Sequence, residues 1–159
     1  MSDKKAAIKQ HLSETKAALD AILQNLIPEH WELMVFSDGD NWTVQDMITH
    51  LVEAEMGMSI QVHKIRQGKE TIPTGFDLDK WNSGVKQRMG ELSPTELIQK
   101  LGEVRAQTLA RLDTIEEHEW ALQGRHPSMG MSTIEQYYQI IAAHQQQHAA
   151  DIQRAVASV

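Results

Sequence analysis

The chain has 159 residues, 41% of them hydrophobic and 23% charged, with 15 basic against 22 acidic side chains and a formal charge of −7. That length suits a single domain over 1–159, able to bury roughly two-thirds of its unfolded surface without covalent staples. The lack of cysteine excludes disulfides, thiolate ligands and a Cys nucleophile, and an acidic balance without a basic cluster argues against nucleic acid as a partner.

Met1-Ser2-Asp3-Lys4-Lys5-Ala6 has no apolar core of the kind a signal peptide carries, and no stretch approaches the ~20 apolar residues of a membrane span. The expectation is a cytoplasmic protein without a membrane partner. Aromatic residues are only 5% and alternating Val/Ile runs are missing, so strands are poorly supported and helix is the fold class to test.

The first helix shows in Ile8, Leu12, Thr15, Leu19, Ile22 and Leu26, which step by four and three until Pro28 stops them. A second stripe runs Val44, Met47, Leu51, Ala54, Met58, Val62 and Ile65, ending near Gly68. Thr43-Val44-Gln45-Asp46 ahead of it resembles a capping box with Asp in the fourth place. From Gln67 to Leu92 the pattern changes: Gly68, Pro73 and Gly75 break the chain, then Asp77 caps a short helix through Met89 that Gly90 closes. Ser93-Pro94-Thr95-Glu96 starts the third long helix with proline at its first position, and its stripe is Leu97, Leu101, Val104, Thr108, Leu112 and Ile115. Ser132-Thr133-Ile134-Glu135 repeats the cap before the last helix, whose stripe is Ile134, Tyr137, Ile141, His144, His148, Ile152 and Ala155.

His144 and His148 stand four residues apart, so their rings stack one turn apart on one face, the spacing at which two neutral imidazoles chelate one ion. They lie within an apolar stripe, where two titratable groups are costly unless something satisfies them. A pair of core histidines bonded to backbone or to each other, or a helix exposed along that edge, is the plainer alternative. His50 sits at the edge of its own stripe, about 10 Å up its helix at 1.5 Å per residue. Were the second and last helices antiparallel, His148 would lie level with it. That pairing predicts an all-α four-helix bundle running up-down-down-up, with 67–92 as a long crossover containing a short helix. Asp46 lies one turn before His50 and Asp151 three residues after His148, and each is placed either to hold an imidazole N–H or to act as a cap and a solvated charge respectively.

Three neutral ligands leave a coordination position open, as catalytic rather than closed structural sites do. Nitrogen donors suit one divalent ion, with zinc, nickel and iron preferred. His11, His30, His63, His118 and His126 do not join the set by spacing. Met47, Met56 and Met58 read as core filler, Trp42 as a staple ahead of its cap, and Trp81-Asn82 as a candidate pocket mouth. No G-x-S-x-G elbow, phosphate loop or H-E-x-x-H motif is present, and no catalytic side chain is assigned.

Asn41-Trp42-Thr43-Val44-Gln45-Asp46-Met47-Ile48-Thr49-His50-Leu51, Phe76-Asp77-Leu78-Asp79-Lys80-Trp81-Asn82, and His126-Pro127 through His144-Gln145-Gln146-Gln147-His148-Ala149-Ala150-Asp151-Ile152 together resemble, in order, the motifs of the DinB-like (YfiT-like) superfamily. The resemblance implies an up-down-down-up bundle, His50, His144 and His148 as metal ligands, and often a homodimer. It also implies a hydrolase or a transferase using a low-molecular-weight thiol as cosubstrate on a small-molecule substrate. Ala54 stands where relatives often carry an aromatic. The alternative is a non-enzymatic, metal-binding or dimeric interaction protein of the stress response; fold is narrowed far more than reaction.

Overall fold

Hydroxyl side chains decide where the long helices begin. In the computed structural model, which describes residues 3–35 and 41–159, Thr43 Oγ1 accepts the Asp46 N–H at 3.1 Å while the Asp46 carboxylate accepts the Thr43 N–H at 3.0 Å. This reciprocal cap opens α2 (Val44–Arg66). Ser93 caps α5 (Pro94–Asp113) through the Glu96 N–H. The last cap is one residue later than expected: Thr133, not Ser132, opens α6 (Ile134–Ala157), with Gln136 completing the box. The first helix, α1, covers Asp3–Gln24.

Cross-helix contacts fix the directions. Lys4 meets Glu135 and Thr15 meets Gln145, so α1 and α6 run parallel. Glu55 meets Arg105, Ser59 meets Arg111 and Arg66 meets Thr114, so α2 and α5 run parallel as well. His50 pairs with His144 while Gln61 pairs with Tyr137, which sets α2 antiparallel to α6. Lys5 reaching the Asp113 carbonyl and Arg105 the Leu12 carbonyl do the same for α1 and α5. The bundle runs up-down-down-up, and the long connection after α2 is the crossover.

That crossover holds two short helices rather than one. Asp77 caps α3 (Leu78–Ser83) by accepting the Lys80 N–H, and α4 (Val85–Met89) follows after a break at Gly84. Gly90, at φ +74, ends α4 in a conformation that other residues rarely adopt. Arg88 ties the segment down, forking onto Glu53 of α2 at 2.9 and 2.6 Å and stacking 3.7 Å over Trp81.

Two small antiparallel ribbons were not foreseen. β1 (Met34–Val35) pairs with β2 (Trp42–Thr43), and β3 (Gln123–His126) with β4 (Gly130–Thr133). Both are too short for alternation to show in sequence. Gly124 lets the second ribbon press against α2: a Cβ there would lie 2.7 Å from Ile65 Cγ1 and 2.8 Å from Thr71 Cγ2.

The apolar core is in two parts. One gathers Leu19, Val52, Leu97, Val104 and Ala149, the other Leu12, Met58, Leu112, Tyr137 and Ala142. Each long helix crosses from one cluster to the other at a buried polar residue: Thr15, Glu55, Arg105 with Thr108, and Gln145. Of the methionines read as filler, Met47 and Met58 are buried but Met56 faces outward. No helix among the described residues is long and apolar enough to cross a membrane.

Candidate metal centre

His50 projects from the second turn of α2, and His144 and His148 from successive turns of the antiparallel α6. Their Nε2 atoms converge, with His50 to His144 at 3.0 Å and His148 to His144 at 3.1 Å. The rings stand edge to face, with centroids 4.5 to 5.4 Å apart. Among the described residues this is the one group of three His, Cys, Asp or Glu side chains whose ligand atoms lie within 4.8 Å of one another.

Hydrogen bonding alone does not account for the cluster. His148 Nδ1 stands 3.0 Å from Asp151 Oδ2, an acceptor, which places the ring proton on Nδ1 and leaves the lone pair on Nε2. His144 Nε2 then faces two neighbouring ring nitrogens with at most one proton to share. Burial favours the neutral form of two of the rings: it pushes the His50 imidazole down to about 4, with the nearby His148 adding to the effect. The same burial, followed by the neighbouring histidines, holds His144 well below the ordinary range. Neutral imidazole is the ligand form. Nitrogens bound at ~2.1 Å to one ion stand ~2.9–3.4 Å from each other, so the spacing and the donor set both fit a divalent cation.

The two acidic candidates part company. Asp151 holds His148 and also bonds Arg154, whose side chain lies outside. Asp46 is directed elsewhere, with one oxygen on the Thr43 N–H and the other 3.0 Å from Lys86 Nζ. A carboxylate three residues into a helix is drawn to the free backbone donor before any side chain four residues on. Trp42, read as a staple, packs its ring on His50 at 4.7 Å between centroids and walls one side of the cluster.

His126, read as ordinary, is buried where β3 ends. Its Nδ1 accepts the N–H groups of Ser128 and Met129 at 3.1 and 3.2 Å, and its Nε2 stands 3.4 Å from Met58 Sδ. Burial pushes this imidazole down to about 4. The tight turn after it, Pro127 to Gly130, was the available signal for a histidine held by backbone. The buried Glu55, Arg105 and Gln145 were also missed, since each stands beside its helix's apolar stripe rather than in it.

Comparison with known proteins places these observations. The family model described as the DinB superfamily matches residues 11–152. Comparison with curated protein sequences gives no match. Among solved structures, YfiT from Bacillus subtilis, described as "a probable metal-dependent hydrolase with an unusual four-helix bundle topology", superposes with TM-score 0.75 at 22% identity, covering 98% of this chain and 87% of that one. A mycothiol-dependent maleylpyruvate isomerase superposes at 0.76 with 12% identity, over 96% of this chain but 63% of the longer one. The colibactin self-resistance protein ClbS, crystallised in complex with a dsDNA, superposes at 0.74 with 15% identity, over 94% of each chain.

The ClbS complex corrects the expectation that nucleic acid is excluded as a partner. Net charge and the lack of a basic run describe the chain's average, whereas a duplex is met by a local surface assembled from distant residues. The bundle's direction, its crossover and the ordered motifs agree with a family match over nine-tenths of the length, and the chain belongs to the DinB superfamily.

Proposed function

We propose that this protein is a metal-dependent enzyme acting on a small molecule through a centre made by His50, His144 and His148. The observation that carries it is the convergence of three ring nitrogens, at 3.0 and 3.1 Å, with fewer protons than hydrogen bonding between them requires. A divalent cation, with zinc, nickel or iron preferred, would supply Lewis acidity there, and three protein ligands would leave a coordination position for a small nucleophile such as water or a low-molecular-weight thiol.

The chain's own residues do the positioning. Asp151 fixes the tautomer and orientation of His148, and Arg154 neutralises that carboxylate from outside. Trp42 covers one face of His50. The printed descriptions of YfiT and of the mycothiol-dependent isomerase support both a hydrolytic and a thiol-dependent version of this reading.

Metal-loaded protein screened against small electrophiles, with and without low-molecular-weight thiols, tests it. Turnover that needs thiol assigns transfer, and turnover without thiol assigns hydrolysis. No turnover under either condition, with metal content unchanged in His50→Ala, removes the enzymatic reading and the site together.

A further inference from the structure

The polar layer that divides the core adjoins the histidines, level with them on α6 at Gln145 and about one and a half turns beyond His50 on α2 at Glu55, and Arg105 is its hub. The Arg105 guanidinium forks onto Glu55 of α2, with Nε to Oε2 and Nη2 to Oε1 both at 3.0 Å. Nη2 also donates to Gln145 Oε1 of α6 at 2.9 Å, and Nη1 donates to the Leu12 carbonyl of α1 at 2.6 Å. Thr108 donates to Glu55 at 2.7 Å and Thr15 to Gln145 at 3.0 Å. All five side chains are buried.

Gln145 lies between His144 and His148 in sequence, and at 100° per residue it points about 60° from His148, toward the interior. Glu55 follows His50 by five residues on the other ligand-bearing helix. One guanidinium therefore grips both helices that bring the three rings together. Apolar side chains on these helices pack acceptably in several registers, whereas a planar fork holding two acceptors does so in one.

We infer that Arg105, acting through Glu55 and Gln145, is a positioning residue for the three-histidine cluster, locking the rotation and register of α6 against α2. This rests on the proposed centre only for its functional meaning. The geometric statement about the rings stands without metal.

The test is the paired substitution Glu55→Met/Arg105→Met, which removes both buried charges and leaves Gln145 bonded to Thr15. Crystal structures of metal-free wild type and variant are compared, beside cobalt(II) titrations following the d–d absorption. The expected result is an Nε2 cluster opened by about 1 Å or more, with cobalt affinity lower by at least ~tenfold and an altered d–d band, the scale of loss when ligand orientation is disturbed. Gln145→Met, which cuts the Arg105 link to α6 together with the Thr15 hydrogen bond and leaves the Arg105–Glu55 fork in place, is expected to act in the same direction and serves if the paired variant does not fold. Rings that keep the wild-type spacing in a folded variant overturn the inference. A wild-type protein that binds no cobalt sinks the proposed centre, while the ring spacings still decide the role of Arg105.

Discussion

Replacing Asp151 with alanine removes the carboxylate that stands 3.0 Å from His148 Nδ1 and frees that imidazole to turn and to exchange tautomers. Asp151 is 8% exposed, so water does not readily take its place. Its other partner, Arg154, keeps a side chain 72% exposed and is resolvated without penalty. The metal-free fold should therefore lose little more than one hydrogen bond to a charged group, about 1.5–3 kcal/mol. Metal affinity should fall by ~10–100-fold, the usual effect of removing such a partner from a ligating histidine, which corresponds to about 1.4–2.7 kcal/mol of binding. Asp151→Asn retains an acceptor without the charge and should fall between wild type and Asp151→Ala. Competition with a chromogenic chelator, beside thermal melts of the metal-free proteins, measures both quantities. An Asp151→Ala affinity within about twofold of wild type would refute the orienting role.

Arg105→Met alone leaves the Glu55 carboxylate buried without its partner and should destabilise the fold by about 3–5 kcal/mol in urea unfolding, with Glu55→Met/Arg105→Met recovering most of the loss. His126 is neutral in the fold and charges on unfolding. Its contribution to stability is thus present above the ordinary imidazole value of 6.5 and lost as pH falls toward about 4, at up to ~1.4 kcal/mol per pH unit. Denaturation at several pH values across that window should show a shallower slope for His126→Gln than for wild type. Gly124→Ala pushes a methyl group to 2.7 Å from Ile65 and should lower stability by about 1–3 kcal/mol, read as a lower melting temperature.

The long helices were legible because each presents one apolar stripe, and their starts were legible because Thr43 and Ser93 are placed to bond backbone donors. The start of α6 slipped by one residue, since Ser132 and Thr133 both have a partner three residues on, and Ser132 instead donates to the Gly130 carbonyl within the ribbon. The helix directions followed from levelling His50 against His148, an inference that takes the histidines to meet and adds a constant rise per residue. The crossover was legible as an interruption, but its break at Gly84 was not, because six- and five-residue helices show too little periodicity to be separated.

Proximity of His144 and His148 was readable from i, i+4 spacing, and a level consistent with His50 joining them was readable from the helix rise, whereas which carboxylate would serve them was not. Asp46 and Asp151 both sit within one turn of a histidine, and only the competing Thr43 backbone donor distinguishes them. The buried Arg105–Glu55 pair stayed hidden for a different reason. Each charge looks solvent-facing in its own helix, and the two become core residues only when α2 and α5 are laid side by side. Average charge likewise did not suffice to exclude a nucleic-acid partner, because the structural relative ClbS is crystallised with a dsDNA.

Elemental analysis of protein purified without a histidine tag, beside the His50→Ala/His144→Ala/His148→Ala variant, bears most directly on the metal centre. About one divalent ion per chain in the first and almost none in the second is the predicted result, as expected for three imidazoles sharing one cation. Equal metal content in two folded proteins, or none in either after loading with zinc, nickel and iron salts, would contradict it.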